Sequence, residues 1–277
     1  SNDPASATDK AKDLVRMAVA RAGTLKPLTE RIIPVNKRAL VIGGGVAGMN
    51  AALGLGKQGF EVVLVEKEKE LGGMARRLHH TIEGKDIRAY INKLEGEVKS
   101  CDKIKVLTDA RIVGFGGYKG NFNTDVAAGP GKEKQNIEHG IIIVATGANE
   151  YKPQEYLYGE DSRVMTQIQL GDLLEEKGAS GLSSVVMIQC VGSRNEKNQN
   201  CSRICCQNAV KNALLIKKQN PEAMVYVLYR DMRTYGLLED YYTEARKLGV
   251  IFIRFDENPP PEVKSSPQGL FVSVNDH

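Results

Sequence analysis

Residues 38–73 read RALVIGGGVAGMNAALGLGKQGFEVVLVEKEKELGG, and they carry the clearest structural signal in the chain. An apolar run ends at Ile42, a glycine-rich turn follows over 43–48, and a helical stretch reaches Lys57. A second apolar run, FEVVLVE, covers 60–66. Neither run alternates polar with apolar residues, which is typical of strands buried on both faces of a parallel sheet. This stretch therefore predicts a βαβ unit with a right-handed crossover.

The glycines of the turn have the G-x-G-x-x-G spacing of a dinucleotide-binding loop. Gly43 permits the tight turn, Gly45 lets the backbone approach a pyrophosphate, and Gly48 allows close packing of helix on strand. The helix N-terminus offers free N–H groups and a positive dipole end to phosphates. Glu66, at the end of the second strand, is placed to accept from ribose hydroxyls and to repel a 2′-phosphate. The alternative is a βαβ turn that needs glycine only for its backbone.

Two later glycine motifs favour FAD over a nicotinamide. Leu71-Gly72-Gly73 follows the acidic residue, and Ala145-Thr146-Gly147 follows a later apolar strand. Each motif alone is more often a plain turn. In this order and spacing they resemble the flavoprotein disulfide reductase superfamily, in which both motifs line the FAD. The residues that we predict to bind this cofactor are Gly43, Gly44, Gly45, Ala47, Gly48, Glu66, Lys67, Gly72, Gly73, Ala145, Thr146 and Gly147.

The rest of the chain continues an α/β pattern and then begins it a second time. We predict an N-terminal helix over 9–22, a polar hairpin tip over 129–136 and further elements in chain order: a helix over 87–99, strands over 103–113, 120–126, 140–146 and 185–190, a helix over 202–218, a strand over 224–229, a helix over 239–248, and strands over 250–255 and from 270. The expected fold is α/β and three-layered, with two Rossmann-like units and mostly parallel sheets. The expected domains are an N-terminal helix and linker (1–34), an FAD-binding half-domain (35–158) and a second, NAD-domain-like unit (159–277).

Composition excludes several classes of protein. The 277 residues are 42% hydrophobic and 26% charged, which is ordinary for a globular chain. No apolar run approaches the 18 or so residues of a membrane span. The net charge of +4 comes without a dense basic block interleaved with aromatics, so we expect no nucleic-acid partner. The first residues lack the apolar segment of a secretory signal, and five cysteines without one favour a reduced, cytoplasmic protein.

Four of the five cysteines are crowded between positions 190 and 206, namely Cys190, Cys201, Cys205 and Cys206. Cys190 is expected to end a strand and Cys205 to open a helix, where the dipole stabilises thiolates. Three interpretations stay open: a Cys₄ iron–sulfur cluster, a structural zinc site, and four unrelated thiols. Zinc sites usually have paired C-x₂₋₄-C hooks, and only Cys201 and Cys205 approximate one.

Two motifs that the sequence lacks limit the redox reactions that it predicts. After Gly72-Gly73 the chain reads MARR, so it lacks the paired cysteines of a disulfide reductase at this point. The turn of the second unit reads CVGSR over 190–194, which is not a dinucleotide fingerprint. Neither dithiol exchange nor an ordinary nicotinamide site is therefore supported.

Several longer segments resemble the flavin domain of the heterodisulfide reductase flavoprotein family, the A subunits of these enzymes and their relatives. They are residues 38–73, IIIVATGANEY (141–151), QCVGSRN (189–195), NCSRICCQNAVKNAL (200–214) and DMRTYG (231–236). The resemblance implies a thioredoxin-reductase-like core that binds FAD, and a [4Fe–4S] cluster held by Cys190, Cys201, Cys205 and Cys206.

The same resemblance carries expectations about function. It implies an FAD-dependent oxidoreductase that passes electrons between flavin and iron–sulfur centres, with electron bifurcation in the heterodisulfide reductase systems. The implied partners are other subunits of such a complex and an iron–sulfur electron carrier. It also implies a truncated fragment, so we expect this chain alone to be inactive. The alternatives are an NAD(P)H-dependent flavoprotein reductase and a non-catalytic scaffold.

Other polar features are expected to lie outside the site. No partner is spaced to help His79 and His80 bind a metal, so we expect a solvated pair. Arg230 and Arg233 are expected to serve surface or intersubunit contacts. Cys101 is expected to behave as a small hydrophobic residue.

Overall fold

The computed structural model describes residues 3–30, 32–131 and 133–275. The chain separates into two compact units, Ser1–Val35 and Asn36–His277. The first unit contains helix α1 (Pro4–Thr24), which is longer than the predicted 9–22. Asp3 explains the earlier start, since its side chain accepts hydrogen bonds from the N–H groups of Ala5 and Ser6.

The second unit contains five further α-helices and twelve strands among the described residues. The helices are α2 (Val46–Lys57), α3 (Ile87–Lys99), α4 (Gln167–Lys177), α5 (Cys205–Gln219) and α6 (Glu239–Lys247). The strands are β1 (Ala39–Ile42), β2 (Val62–Val65), β3 (Ile104–Leu107), β4 (Ala110–Tyr118), β5 (Asn121–Ala128), β6 (Glu133–His139), β7 (Ile141–Val144), β8 (Ser184–Ile188), β9 (Met224–Tyr229), β10 (Ile251–Arg254), β11 (Glu262–Ser266) and β12 (Gly269–Ser273).

The first parallel sheet has the strand order β3-β2-β1-β7. Val41 and Leu64 face one layer of buried residues shared with α2 and α3. Leu40 and Val63 face the other layer, against the antiparallel sheet β4-β5-β6. Both faces of β1 and β2 are thus buried, and this is why their sequences show no polar alternation. The predicted βαβ unit is confirmed.

The second parallel sheet has the order β10-β9-β8. Its core joins Met187, Val225 and Val227 of the strands to side chains of α4, α5 and α6, such as Leu174 and Ala213. β11 and β12 form an antiparallel hairpin. Two parallel sheets with helical cover confirm the predicted α/β class. No helix in the described ranges is both long and apolar enough to cross a bilayer.

Some predicted elements were wrong. The segment 103–113 is two strands in two sheets, divided at Asp109, whose φ of 47° turns the chain. The expected hairpin tip over 129–136 is shorter, because β6 begins at Glu133. Helix α4 was not predicted, and a capping box of Thr166 and Gln169 starts it.

Candidate functional site

The glycine turn lies between the carboxyl end of β1 and the first turn of α2. Gly43 has φ +106°, and a Cβ there would lie 2.2 Å from the carbonyl oxygen of Ala145. A Cβ on Gly48 would lie 1.8 Å from the carbonyl oxygen of Gly43. Two of the three fingerprint glycines are therefore required by backbone contacts, and the turn carrying Ala145, Thr146 and Gly147 lies directly against Gly43.

The Glu66 carboxylate joins the turn to the end of β2. Its Oε2 accepts from the Gly44 N–H at 2.6 Å, and its Oε1 accepts from the Glu68 N–H at 2.9 Å. The side chain is buried, with 5% exposure. Each carboxylate oxygen has a second lone pair, so a ribose hydroxyl can still donate to it. The backbone bonds were not foreseen from the sequence, because they depend on where the turn meets β2.

The second glycine motif lies on the same turn. The Gly72 N–H donates to the Gly44 carbonyl oxygen at 2.7 Å, and Gly45 and Gly72 form a parallel bridge. Gly72 (φ +111°) and Gly73 (φ +54°) both adopt left-handed conformations that favour glycine. All three predicted motifs thus converge on one place, although they are far apart in sequence.

This place fits the pyrophosphate of a dinucleotide. No heavy atom lies within 4 Å of a Cβ built on Gly45, so the space beside the turn is open. Gly45 is also the N-cap of α2 and gives it no side-chain cap, so the first N–H groups are free to meet an anion. Ala47 lies in this first helical turn, and Lys67 follows Glu66 with its ammonium 3.8 Å from the Glu68 carboxylate.

The cysteine site lies at the corresponding edge of the second parallel sheet. β8 ends at Ile188, so Cys190 is in the turn beyond it, with φ +63°. Helix α5 begins at Cys205, which opens it as predicted, although the predicted range began at residue 202; Cys201 therefore lies outside the helix. Ile204 caps this helix without a side-chain bond, and Cys205 and Cys206 occupy its first turn.

Three of the sulfur atoms share a network of hydrogen bonds. Cys205 accepts from the Cys206 thiol, from the Ser202 hydroxyl and from the Cys190 N–H, and the Cys206 bond is the main reason that the pKa of Cys205 falls to about 6. Donating that bond raises the pKa of Cys206. Burial raises the pKa of Cys190, while the nearby Arg194 guanidinium lowers it. The site therefore favours a thiolate at Cys205.

Cys201 takes no part in this network. It lies in the loop before α5, where its sulfur accepts from the Arg203 N–H at 3.3 Å. Across the described residues, no group of three or more His, Cys, Asp or Glu side chains has the geometry of a metal site. All five cysteines are free thiols. The structure thus groups three of the four predicted ligands and leaves the fourth on a separate loop.

The segment after β9 surrounds the cysteines with donors and charges. The N–H groups of Arg230 and Arg233 donate to the sulfurs of Cys190 and Cys206 respectively. Asp231 pairs with Arg194 at 2.5 Å, and this bond lowers its pKa. Arg230 bonds to the Arg194 carbonyl and, at 3.0 Å, to Glu257. The expected surface role of Arg230 is therefore wrong, since its side chain is only 21% exposed.

Side chains from the first half of this unit reach the second half. His79 Nε2 lies 2.8 Å from Asp172 of α4, and the His79 side chain is 11% exposed, so the expectation of a solvated pair is wrong for His79. The partner was missed because α4 was not predicted. The ring of Tyr151, which follows the Ala145–Gly147 turn, lies within 2.2 Å of a Cβ built on Gly192. Cys101 packs against the core beside α2, as predicted.

A glycine turn at the carboxyl edge of a parallel sheet, closed by an acidic residue from the next strand, defines a Rossmann-type dinucleotide-binding protein. Residues 37–187 match the family model described as pyridine nucleotide-disulphide oxidoreductase, and the chain belongs to that family. The match ends immediately before the cysteine loop.

Curated relatives confirm the more specific resemblance. The chain is 32% identical to the second iron–sulfur A subunit of CoB–CoM heterodisulfide reductase from Methanopyrus kandleri, over 99% of this chain and 56% of that protein. It is 31% identical to the A subunit of H(2):CoB-CoM heterodisulfide,ferredoxin reductase from Methanothermobacter thermautotrophicus, over 96% and 54%. The chain therefore spans little more than half the length of these relatives.

Solved structures share the fold. Thioredoxin reductase of Lactococcus lactis matches with a TM-score of 0.53 and 17% identity, over 87% of this chain and 74% of that one. Thioredoxin reductase of T. acidophilum matches with a TM-score of 0.53 and 14% identity, over 87% and 75%. The expected thioredoxin-reductase-like core is confirmed.

Proposed function

We propose that this chain is the FAD-binding and iron–sulfur-binding part of an electron-transfer subunit in a heterodisulfide-reductase-type complex. The observation that carries the proposal is the presence, in one unit, of an open glycine turn and a group of hydrogen-bonded thiols at a helix N-terminus. The similarity to subunits named for iron–sulfur and heterodisulfide chemistry supports it. Electron bifurcation in the assembled complex is the finer form of this proposal.

The chain's own residues have defined tasks in this proposal. The Gly43–Gly48 turn and the free N–H groups of α2 bind the pyrophosphate, and Glu66 accepts from the ribose. The Gly72-Gly73 and Thr146-Gly147 backbones line the flavin. When bound, FAD supplies two-electron and one-electron redox chemistry, and an iron–sulfur cluster supplies one-electron transfer.

The four thiols have the chemistry of iron–sulfur ligands, and three of them are already grouped. Cys190, Cys205 and Cys206 are held by backbone N–H donors, which stabilise thiolate ligands. Cys201 completes the proposed set when the loop before α5 moves it toward the other three. A tetrahedral zinc site would use the same ligands, and iron and sulfide analysis separates the two.

The contact of Tyr151 with Gly192 supports a functional link between the two sites. Tyr151 follows the glycine turn that lines the proposed flavin site, and Gly192 lies two residues after Cys190. A second contact, between Arg77 and Glu150 at 2.9 Å, fastens the Gly72-Gly73 segment to the same stretch. Residues that shape the two sites are thus in direct contact.

An NAD(P)H-dependent flavoprotein reductase is the second candidate, and the description of the matching family favours it. The turn after β8 argues against it. That turn lacks a glycine fingerprint, and its Arg194 is already paired with Asp231. A non-catalytic scaffold is the third candidate.

Anaerobic reconstitution of the chain with FAD, ferrous iron and sulfide tests these candidates. We expect bound flavin and about four irons, with broad absorbance at about 400 nm. Cys201→Ala should lose the iron and keep the flavin, while Cys101→Ala should keep both. A wild type that binds flavin but no iron, and whose flavin is bleached by NADH, would support the reductase. A Cys201→Ala variant that keeps its iron and its absorbance would reject the proposed ligand set. Absence of both cofactors from the wild type would leave the scaffold.

A further inference from the structure

Unpartnered buried donors gather around the cysteine site. Five buried side-chain polar atoms in the described part of the chain lack a hydrogen-bond partner. Four of them belong to two segments at the cysteine site: Gln189 and Arg194 on either side of Cys190, and Arg233 and Thr234 after β9. A buried donor without an acceptor is rare and unfavourable, so four in one place indicate that an acceptor is missing.

Two of these residues interact with the thiols, and the other two are sequence neighbours of residues at the site. Gln189 immediately precedes Cys190, and Arg194 interacts with the Cys190 thiol. Arg233 donates its backbone N–H to Cys206, whose thiol also lies 3.8 Å from the Asp231 carbonyl oxygen. Arg194 and Arg233 therefore interact with thiols that the proposed cluster would use, and Thr234 directly follows Arg233 in the chain.

The charged side chains around the cysteines also favour an anionic acceptor. Arg194 and Arg233 share one Asp231 oxygen, at 2.5 and 3.9 Å, so two guanidinium groups face one carboxylate. Arg254 adds a further positive charge near Asp231, and Arg230 is balanced by Glu257. The site thus keeps a surplus of positive charge beside the thiols, and this surplus suits an anion.

We propose that Arg233, Arg194 and Thr234 are positioning residues that donate hydrogen bonds to an iron–sulfur cluster on these cysteines and raise its reduction potential. This inference rests on the proposed function. A cluster with four thiolate ligands is anionic, and reduction adds one electron to it. Donors and positive charge therefore stabilise the reduced form more than the oxidised form. The DMRTYG segment (231–236), one of those that carry the family resemblance, would supply two of these donors.

Redox titration of the reconstituted chain tests the inference. Dithionite supplies the electrons, and electron paramagnetic resonance measures the reduced cluster at each potential. We expect Arg233→Gln to lower the ratio of reduced to oxidised cluster about tenfold at a fixed potential, which is a shift of about 59 mV for one electron. Arg233→Lys, which keeps the charge, and Thr234→Val, which removes a neutral donor, should each give a smaller shift in the same direction.

Arg246→Gln is the matched control, because it removes a guanidinium of α6 that lies over the Tyr242 ring, 5.7 Å from its centre. Its potential should equal that of the wild type. Equal potentials in Arg233→Gln and the wild type, at equal iron content, would overturn the inference and leave the proposed function intact. If Arg233→Gln does not fold or load iron, an unchanged potential in both Arg233→Lys and Thr234→Val overturns it instead. A wild type without iron refutes the proposed function itself.

Discussion

The glycine site and the cysteine site occupy equivalent positions in two parallel sheets, but they differ in how complete they are. In both, a strand is followed by a turn and then by a helix: β1 leads into α2, and β8 leads into α5. The glycine site connects its elements through residues 43–45, and backbone bonds and Glu66 hold its turn in shape, while the first N–H groups of α2 stay free for a ligand. The cysteine site uses the long connection 189–204 and leaves several donors without acceptors.

The two sites therefore differ in how far their shape depends on a bound ligand. The glycine turn is held by contacts that exist without a dinucleotide, so its shape is preorganised. The cysteine site has unmet hydrogen-bonding capacity and a fourth thiol outside the network. Its final arrangement is therefore expected to depend on the ligand, as is usual for metal sites that couple binding to local folding.

The largest expected effect is that of Gly48→Ala. The new methyl group would overlap the Gly43 carbonyl, which is backbone and cannot rotate away. We expect a loss of about 3 kcal/mol in the free energy of unfolding, measured by urea denaturation. Gly45→Ala is the control, because its methyl group enters open space. It should change stability by less than about 0.5 kcal/mol and yet weaken FAD binding. Equal stability of the two variants would contradict the preorganised turn.

Glu66→Ala should destabilise the protein even without FAD. It removes the acceptor for two backbone N–H groups, including a 2.6 Å bond to Gly44. Bonds of this charged kind contribute about 1.5–3 kcal/mol, so we expect a loss of about 2 kcal/mol, with a further weakening of FAD binding of about 1–3 kcal/mol. Glu66→Gln should retain part of the stability and part of the FAD affinity. The exposed Glu68→Ala is the control, and a Glu66→Ala protein as stable as this control would show that the carboxylate serves only the ligand.

Gly192→Ala tests the cysteine loop. Its new methyl group makes a contact about as short as that of Gly48→Ala. Its methyl group would meet the Tyr151 ring at 2.2 Å, but this side chain is half exposed and can rotate. The remaining penalty is that of φ +66° for a residue with a Cβ, about 1–2 kcal/mol. Thermal denaturation should therefore rank Gly192→Ala between Gly45→Ala and Gly48→Ala. Substantial rescue by adding Tyr151→Ala would show that the ring, and not the backbone, resists the change.

The smallest expected effect is a pH dependence in the layer beneath the first sheet. His139 is fully buried, with Thr124 Oγ1 at 2.8 Å and the Ile141 carbonyl at 3.1 Å from its ring nitrogens. Burial lowers the pKa of His139 below 6.5. The unfolded chain then binds more protons than the folded chain just below pH 6.5, so stability falls as the pH drops through that window.

One proton changes stability by no more than about 1.4 kcal/mol per pH unit. Urea denaturation at pH 7.5 and 5.5 should therefore show a modest loss for the wild type. His139→Gln, which does not titrate, should show a smaller difference between the two pH values. An equal difference in both proteins would assign the pH dependence to other groups.

The local sequence pattern was sufficient to predict an element where its bounds depend on residues that are close in sequence. Helix α3 begins and ends where predicted, at Ile87 and Lys99, and β9 also has its predicted bounds, at Met224 and Tyr229. The glycine turn was predictable for the same reason, since tight turns and close approaches at Gly43 and Gly48 restrict which residues can occupy those positions.

Long-range contacts decided the rest. The division of residues 103–113 between two sheets, the pairing of His79 with Asp172 and the two backbone bonds of Glu66 all join segments whose meeting has no signature in local sequence. The cysteine site shows this most clearly. Spacing grouped four thiols, but the start of α5 at Cys205 and the turn at Cys190 brought three of them together and left Cys201 on a loop. Helix and strand periodicity follows from nearby side chains, whereas the contacts within a site follow from how the packed sheets and helices position their connecting loops.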